Sequence, residues 1–161
     1  TINGGMVMPA WYDILEMDLG RRVDEVQLKA SATLVHGLID EQREAGIDSR
    51  RVVVAGFSQG GAVAYQAALS YPEPLAGLLV MSSYFATGES VELAPANRQL
   101  ATEVHHGTLD PVVPEALGRQ GHERAEALGL PSHYRSYPME HALCPEQVGD
   151  IADWLAQRFA S

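Results

Sequence analysis

The chain has 161 residues, of which 46% are hydrophobic and 20% are charged, a composition typical of a soluble protein with one globular core. Its formal net charge of −10 at pH 7 argues against nucleic acid or an anionic membrane surface as a partner. No apolar stretch is long enough to span a bilayer, and the single cysteine, Cys144, excludes an internal disulfide. We therefore expect one domain over residues 1–161, located in the cytoplasm.

Residues 23–45 carry apolar side chains at helical spacing, which predicts a long amphipathic helix that packs on a sheet. The apolar stripe consists of Val23, Val26, Ala30, Leu34 and Leu38, and Val35 and Ile39 widen it. Gly46 follows this stripe and is expected to end the helix.

Four short apolar runs then predict strands, over residues 51–57, 76–83, 101–106 and 132–137. Helices are predicted over residues 62–69, 114–128 and 145–159, and the last presents Val148, Ile151, Leu155 and Phe159 on one face. Residues 87–97 have no periodicity and are expected to form a loop. The alternation of continuous apolar strands with helices predicts a three-layer α/β domain with a mainly parallel sheet.

The first strand leads directly into its helix through residues 56–60, Gly-Phe-Ser-Gln-Gly, a match to the G-x-S-x-G nucleophile elbow. A tight strand-to-helix turn requires glycines beside the serine and projects Ser58 from the sheet at a helix N-terminus, which favours developing negative charge. The alternative is a glycine-rich turn with an ordinary capping serine. The apolar strand before the motif and the small-residue helix after it favour the elbow.

A nucleophilic serine needs a base and an acid that orients this base, and in α/β hydrolases they follow in the order acid, then histidine. Asp110 comes just after the third strand and His141 just after the fourth, so both order and placement fit. Taken singly, Asp110 reads as a turn residue before proline and His141 as a loop histidine. We disfavour a metal site at His141 and Cys144 or at His105 and His106, because the sequence pattern supplies no further ligands. A nucleophilic Cys144 is disfavoured because the pattern places no base beside it.

The chain resembles the carboxylesterase and acyl-protein thioesterase family of α/β hydrolases, with the bacterial carboxylesterases as the nearest likeness. The resemblance rests on residues 1–5, 8–14, 38–42, 56–61, 106–107, 110–114, 137–139 and His141. It implies that Ser58, Asp110 and His141 form a catalytic triad and that the backbone N–H of Gln59 is an oxyanion donor. It also implies an acyl cleft lined by Ile14, Leu15, Met17 and Val112, with no cofactor and no metal.

The chain departs from the family's pattern in two ways. The family's first strands, with an H-G-x-G loop that supplies a second oxyanion donor, would precede Thr1, so an N-terminally truncated fold is expected; His36-Gly37-Leu38 imitates that loop in letters only. Glu140 stands where the family usually has glycine, and we expect its carboxylate to face water. Without the first strands, the strand of residues 51–57 would be an apolar edge, which predicts a homo-oligomer paired through it.

These features predict a serine carboxylesterase that hydrolyses short-chain esters. The near alternative within the same fold is an acyl-protein thioesterase or lysophospholipase. The alternative from another class is a catalytically impaired fragment that acts as an oligomerisation or binding module.

Overall fold

The computed structural model of the chain describes residues 6–16 and 22–160. The helices are α1 (Glu25–Glu44), α2 (Gln59–Ser70), α3 (Glu115–Ala127) and α4 (Pro145–Phe159). The strands are β1 (Val53–Phe57), β2 (Gly77–Met81), β3 (Thr102–Gly107) and β4 (Ser132–Tyr137). Every predicted helix and strand is present within a few residues of its expected ends, and the predicted loop of residues 87–97 contains only a short 3₁₀ turn, Pro95–Asn97.

The four strands form one parallel sheet in the order β1-β2-β3-β4. Helices α2 and α3 cover one face, where Gly61 meets Val80 of β2 and Gly118 meets His106 of β3. Helix α4 covers the other face, where Trp154 packs against Gly77. The result is the predicted three-layer α/β arrangement, with the carboxyl ends of all four strands at one edge of the sheet.

Two groups of buried side chains form the interior of the protein. The larger one joins α2 to the centre of the sheet through Tyr65, Leu69, Leu78 and Val104. The smaller one lies where α1 meets α2 and includes Tyr12 from the N-terminal segment. This second group fixes the N-terminal segment close to the start of α2.

Helix α1 begins and ends at recognisable signals. Asp24 caps its N-terminus by accepting a hydrogen bond from the Gln27 backbone N–H. At the C-terminus Gly46 has a φ of +96°, and the N–H groups of Gly46 and Ile47 donate to the carbonyls of Arg43 and Gln42. This pair of bonds is a Schellman motif, so the predicted role of Gly46 is confirmed.

The buried face of α1 differs from the predicted stripe. Leu28, Ala32 and Ile39 are buried, whereas Val26 and Leu34 are 80% and 67% exposed. Two sets of apolar side chains on this helix have helical spacing, so periodicity alone does not select the face that packs. The expected packing face of α4 is likewise open at Val148 and Phe159, and Trp154 and Gln147 are buried instead.

Strand β1 lies at the edge of the four-stranded sheet formed by the described residues. Only Val54 and Gly56 of this strand are buried, and Ala55 is exposed. An apolar groove runs along each side of the strand. The groove against α1 and α2 has a volume of about 340 Å³, and the groove against α4 about 690 Å³. In the parts of the chain that the structure describes, no helix is long and apolar enough to cross a membrane.

Candidate active site

Ser58 occupies the turn between β1 and α2 with a φ of +54°, a conformation that side chains rarely adopt. Its N–H donates to the carbonyl of Met81 at the end of β2 (2.9 Å). Its carbonyl accepts from the Gly61 N–H (2.9 Å) and from the Ser83 hydroxyl (2.6 Å). Bonds from the neighbouring strand and helix therefore hold the strained backbone in place.

Two glycines allow β1 and α2 to approach so closely. A Cβ at Gly56 would lie 2.1 Å from the carbonyl oxygen of Gly60, and a Cβ at Gly61 would lie 2.5 Å from Cβ of Ser83. The third glycine behaves differently, because the nearest atom to a Cβ at Gly60 is the Trp11 indole nitrogen, 4.0 Å away. Gly56 and Gly61 are therefore required because a side chain at either position would clash with its neighbours. Gly60 instead provides the backbone that packs against Gly56.

The turns that follow β3 and β4 are joined to each other. The Leu109 N–H donates to the carbonyl of Met139 (3.1 Å), and a Cβ at Gly107 would lie 2.3 Å from that same carbonyl oxygen. This close approach places the loop after β4 over the loop after β3. Asp110 and His141 are thereby brought side by side.

The structure brings Ser58, His141 and Asp110 into one line of hydrogen bonds. His141 Nε2 lies 3.0 Å from Ser58 Oγ, and His141 Nδ1 lies 2.7 Å from Asp110 Oδ2. The side chain of Asp110 is fully buried, and that of His141 is 18% exposed. With Nδ1–H donating to the carboxylate, Nε2 is left to accept the hydroxyl proton of the serine.

The Asp110 carboxylate is held by the backbone of its own loop. Its Oδ1 accepts hydrogen bonds from the N–H groups of Val112 (2.8 Å) and Val113 (2.9 Å). His106 lies behind this loop, with Nε2 donating to the Val113 carbonyl (2.8 Å) and 3.7 Å from Asp110 Oδ2. The loop that carries the carboxylate is therefore fixed from both sides.

His106 is fully buried, and burial lowers its pKa below the ordinary value, an effect that the hydrogen bond to Val113 and the charge of Asp110 only partly oppose. Its Nδ1 faces Gly118 of α3 and has no hydrogen-bond partner among the described residues, as expected for a neutral ring with its proton on Nε2. From the sequence, this histidine is considered as a metal ligand beside His105, and that role is disfavoured. Its position behind the Asp110 loop was visible only in the structure.

Phe57, the residue before the nucleophile, also contacts the site. Its ring lies against the imidazole of His141 with centroids 4.7 Å apart and planes tilted by 45°. The contact limits rotation of the imidazole and covers one of its faces. Sequence reasoning gave Phe57 no role, although its place inside the elbow motif was the available signal.

Gln59 is the first residue of α2, where backbone N–H groups have no acceptor within the helix. Its N–H therefore lies at the positive end of the helix dipole, next to Ser58. The side-chain amide points to the N-terminal segment instead, with Oε1 accepting from the Trp11 N–H (3.3 Å) and Nε2 donating to the Tyr12 carbonyl (2.9 Å).

The residues expected to line an acyl cleft are found in different surroundings. Ile14 packs against the smaller core group, Leu15 is 57% exposed, and Val112 is 45% exposed beside Asp110. Met17 lies outside the described residues. Glu140 is exposed, in agreement with the expectation that its carboxylate faces water.

The remaining histidines lie in helices and strands away from Ser58. His105 and His133 hydrogen-bond to the buried Glu103, which also accepts from Arg135. Burial raises the pKa of Glu103, but these hydrogen bonds outweigh it and hold the pKa below its usual value. Within residues 6–16 and 22–160, no group of three or more potential ligands is arranged to hold a metal ion.

Comparison with known proteins identifies the family. A model of the phospholipase/carboxylesterase family matches residues 1–158. The chain belongs to this family of hydrolases. The match extends over nearly the whole chain and includes both the elbow and the loops that carry Asp110 and His141.

Relatives in the family bear two kinds of name. Acyl-protein thioesterase 1 of Neurospora crassa is 36% identical over 98% of this chain, which covers 69% of that relative. A probable carboxylesterase of Oryza sativa is 32% identical over 96% of this chain, which covers 60% of that relative. Thioesterases and carboxylesterases hydrolyse ester bonds, and this family member is an ester hydrolase.

Solved structures confirm the fold class. The structure of Arabidopsis thaliana SOBER1 has a TM-score of 0.88 with 25% sequence identity, covering 97% of this chain and 77% of that structure. A carboxylesterase of Bacillus cereus has a TM-score of 0.78 with 19% identity, covering 97% of this chain and 73% of that structure, and shares the fold. The predicted α/β-hydrolase fold is therefore confirmed.

Proposed function

We propose that this family member, as one domain over residues 1–161, is a serine carboxylesterase that hydrolyses short-chain esters through an acyl-enzyme. The observation that carries the proposal is the unbroken line from Asp110 through His141 to Ser58, with contacts of 2.7 and 3.0 Å. A serine hydroxyl alone is a weak nucleophile, and this arrangement supplies the base and the group that orients the base.

In the proposed mechanism, His141 Nε2 takes the proton of Ser58 as Oγ attacks the ester carbonyl. The same proton is then given to the leaving alcohol, and an acyl-Ser58 intermediate remains. Water, deprotonated by His141, attacks this intermediate; the bond between the acyl group and Ser58 Oγ then breaks, His141 returns the proton to Oγ, and the acid leaves. Throughout, the buried Asp110 carboxylate holds the proton on Nδ1 and stabilises the imidazolium that forms.

The oxyanion that forms during attack is proposed to bind at the start of α2. The backbone N–H of Gln59 is the donor we assign to it, supported by its place in the first turn of the helix beside Ser58. Removing a single oxyanion donor from a serine hydrolase costs about 10² to 10³ in kcat. Ile14, Leu15, Met17 and Val112 are proposed to contact the acyl group, with no cofactor taking part.

A thioesterase or lysophospholipase activity is the alternative within the same chemistry. It is supported by the relative named acyl-protein thioesterase 1, because an acyl-enzyme forms equally from an ester or a thioester. Rates on matched oxygen and thiol esters of one acid separate the two substrates. A higher kcat/KM on the thioester identifies a thioesterase.

The chain is further proposed to form a cytoplasmic homo-oligomer through β1. The edge strand lies between two apolar grooves, lined by Val35, Leu38 and Val63 on one side and by Ile151, Leu155 and Phe159 on the other. Such an edge favours pairing with another chain. If the site is inactive, this surface supports the alternative of a binding or oligomerisation module.

The deciding experiment compares hydrolysis of p-nitrophenyl acetate and butyrate by the wild-type chain and by Ser58→Ala, with Ser90→Ala as a matched control at an exposed serine. Ser58→Ala is expected to lose activity by about 10⁴-fold or more, and Asp110→Asn by about 10⁴-fold. Mass spectrometry after fluorophosphonate treatment should find one adduct, on Ser58. Activity that survives Ser58→Ala, or an adduct elsewhere, would refute the proposal.

A further inference from the structure

The side chain of Gln59 makes contacts that are separate from the contribution of its backbone to the site. The amide oxygen accepts from the Trp11 N–H, and the amide nitrogen donates to the Tyr12 carbonyl. Because one contact requires an acceptor and the other a donor, only one orientation of the amide satisfies both. The residue after the nucleophile thus binds two successive backbone groups of the Trp11–Tyr12 segment.

Helix α1 holds the same segment from the opposite side. The Ser31 hydroxyl donates to the Trp11 carbonyl, and Gln27 Oε1 accepts from the Asp13 N–H (2.8 Å). The Tyr12 hydroxyl lies 2.6 Å from that of Tyr84 in the protein interior. The segment is therefore suspended between α1 and the nucleophile elbow, and Gln59 supplies its two hydrogen bonds to α2.

The Trp11–Tyr12 segment lies beside the nucleophile elbow. A Cβ at Gly60, two residues after Ser58, would lie 4.0 Å from the Trp11 indole nitrogen. Trp11 is 48% exposed and Leu15 is 57% exposed, so apolar surface of this segment faces solvent close to the elbow. A substrate acyl chain of sufficient length would meet this surface, whereas an acetyl group is too short to gain from it.

We propose that Gln59 is a positioning residue whose side chain holds the Trp11–Tyr12 segment against the nucleophile elbow and thereby sets the preference for acyl-chain length. The inference rests on the proposed function, since it concerns the substrate of the same site. Substitution of the side chain leaves the backbone N–H in place. The effect on acyl preference is therefore separable from loss of the oxyanion donor.

The test is Gln59→Met, which keeps the length of the side chain and removes both hydrogen bonds. For p-nitrophenyl octanoate we expect kcat/KM to fall by about tenfold, mainly through a higher KM, because two hydrogen bonds that order the segment are lost. For p-nitrophenyl acetate we expect a smaller decrease, so that the ratio of octanoate to acetate kcat/KM falls by about threefold or more. Gln27→Met is the matched control, because it removes the hydrogen bonds of α1 to Asp13 and leaves both hydrogen bonds of Gln59 in place, so it should preserve the ratio of the two rates.

Amide hydrogen exchange gives a readout independent of turnover. The backbone amide of Trp11 should exchange faster in Gln59→Met, because this variant lacks the oxygen that accepts its hydrogen bond. Gln59→Glu keeps an acceptor for Trp11 but replaces the group that donates to the Tyr12 carbonyl with an oxygen. Gln59→Glu should therefore shift the acyl preference too, and it decides the matter if Gln59→Met does not fold.

An unchanged ratio of octanoate to acetate activity in the folded variant overturns the inference, whether neither activity changes or both fall equally. Fluorophosphonate labelling of Ser58 in the wild type distinguishes this outcome from failure of the proposed function. A labelled Ser58 with an unchanged chain-length profile refutes the role of Gln59 alone. An unlabelled, inactive wild type refutes the proposed function.

Discussion

At the scale of single residues, the site depends on groups behind the three that would react. The Asp110 carboxylate accepts two backbone N–H groups from its own loop, and His106 binds the carbonyl of Val113 in that loop. A carboxylate held in this way has one oxygen left to orient His141. The position of the Asp110 carboxylate thus depends on His106, a buried histidine whose described hydrogen bond goes to Val113 and not to Ser58 or His141.

His106 also makes the stability of the protein depend on pH. Its pKa is lowered in the folded state, so on acidification the unfolded chain takes up a proton first, near the ordinary value of 6.5. This part of the free energy of unfolding is present above that value and is lost as the pH falls below it. His106→Gln keeps an N–H donor for Val113 and removes the titrating group.

We therefore expect the free energy of unfolding to fall less between pH 7.5 and pH 5.5 in His106→Gln than in the wild type. Urea unfolding at the two pH values measures it. An equal decrease in both proteins would show that His106 is not held neutral in the folded state.

At the scale of elements, the backbones of β1 and α2 are in direct contact within the strand–turn–helix unit around Ser58. A Cβ at Gly56 meets the carbonyl of Gly60, and neither backbone can move without displacing the nucleophile. The spacing of the glycines in the motif is usually explained by the turn alone. Here the two glycines have different roles, one as a missing side chain and the other as the backbone that fills its space.

This difference predicts that one added methyl group destabilises the protein at Gly56 but not at Gly60. Gly56→Ala should lower the free energy of unfolding by about 3 kcal/mol or more, because the clash is with backbone and cannot be relieved by a rotamer change. Gly60→Ala is the matched control and should retain the wild-type value, since its Cβ has ordinary contacts only. Equal destabilisation in urea unfolding would contradict this account of the elbow.

At the scale of the whole molecule, the exposed edge of β1 is the main departure from a closed α/β domain. Among the described residues no strand pairs with its outer side, and the strand lies between two apolar grooves, one of them about 690 Å³ in volume. Exposed apolar edges of this kind are avoided in stable monomers. The net charge of −10 opposes nonspecific aggregation, so pairing of limited order is the expected result.

We expect light scattering coupled to size exclusion to give a mass above the 17.4 kDa of one chain. Ala55→Lys should return the protein to that mass, because it places a charge at the exposed position of the edge strand. Val26→Lys replaces an exposed apolar residue on α1 and should leave the mass unchanged. A wild-type protein that remains monomeric at micromolar concentration would refute pairing through β1.

The sequence by itself determined the order of the elements, most of their bounds and the three residues, Ser58, His141 and Asp110, that the structure brings into contact. These are local properties: strand and helix periods, the glycine pattern of the elbow, and the position of Asp110 and His141 just after strands. Because parallel strands end at one edge of the sheet, residues that follow different strands meet there. The predicted roles of these residues in catalysis stay predictions.

Tertiary structure alone decided which helix faces are buried and what supports the site. On α1 the positions around Leu28 and Ile39 pack inside while Val26 and Leu34 face out, although both sets have helical spacing. His106 binds the Asp110 loop at Val113, which is 7 positions away in the sequence. Gln59 hydrogen-bonds to Trp11 and Tyr12, which are about 48 positions away. Such contacts depend on how elements pack against one another, which no local pattern of residue types specifies.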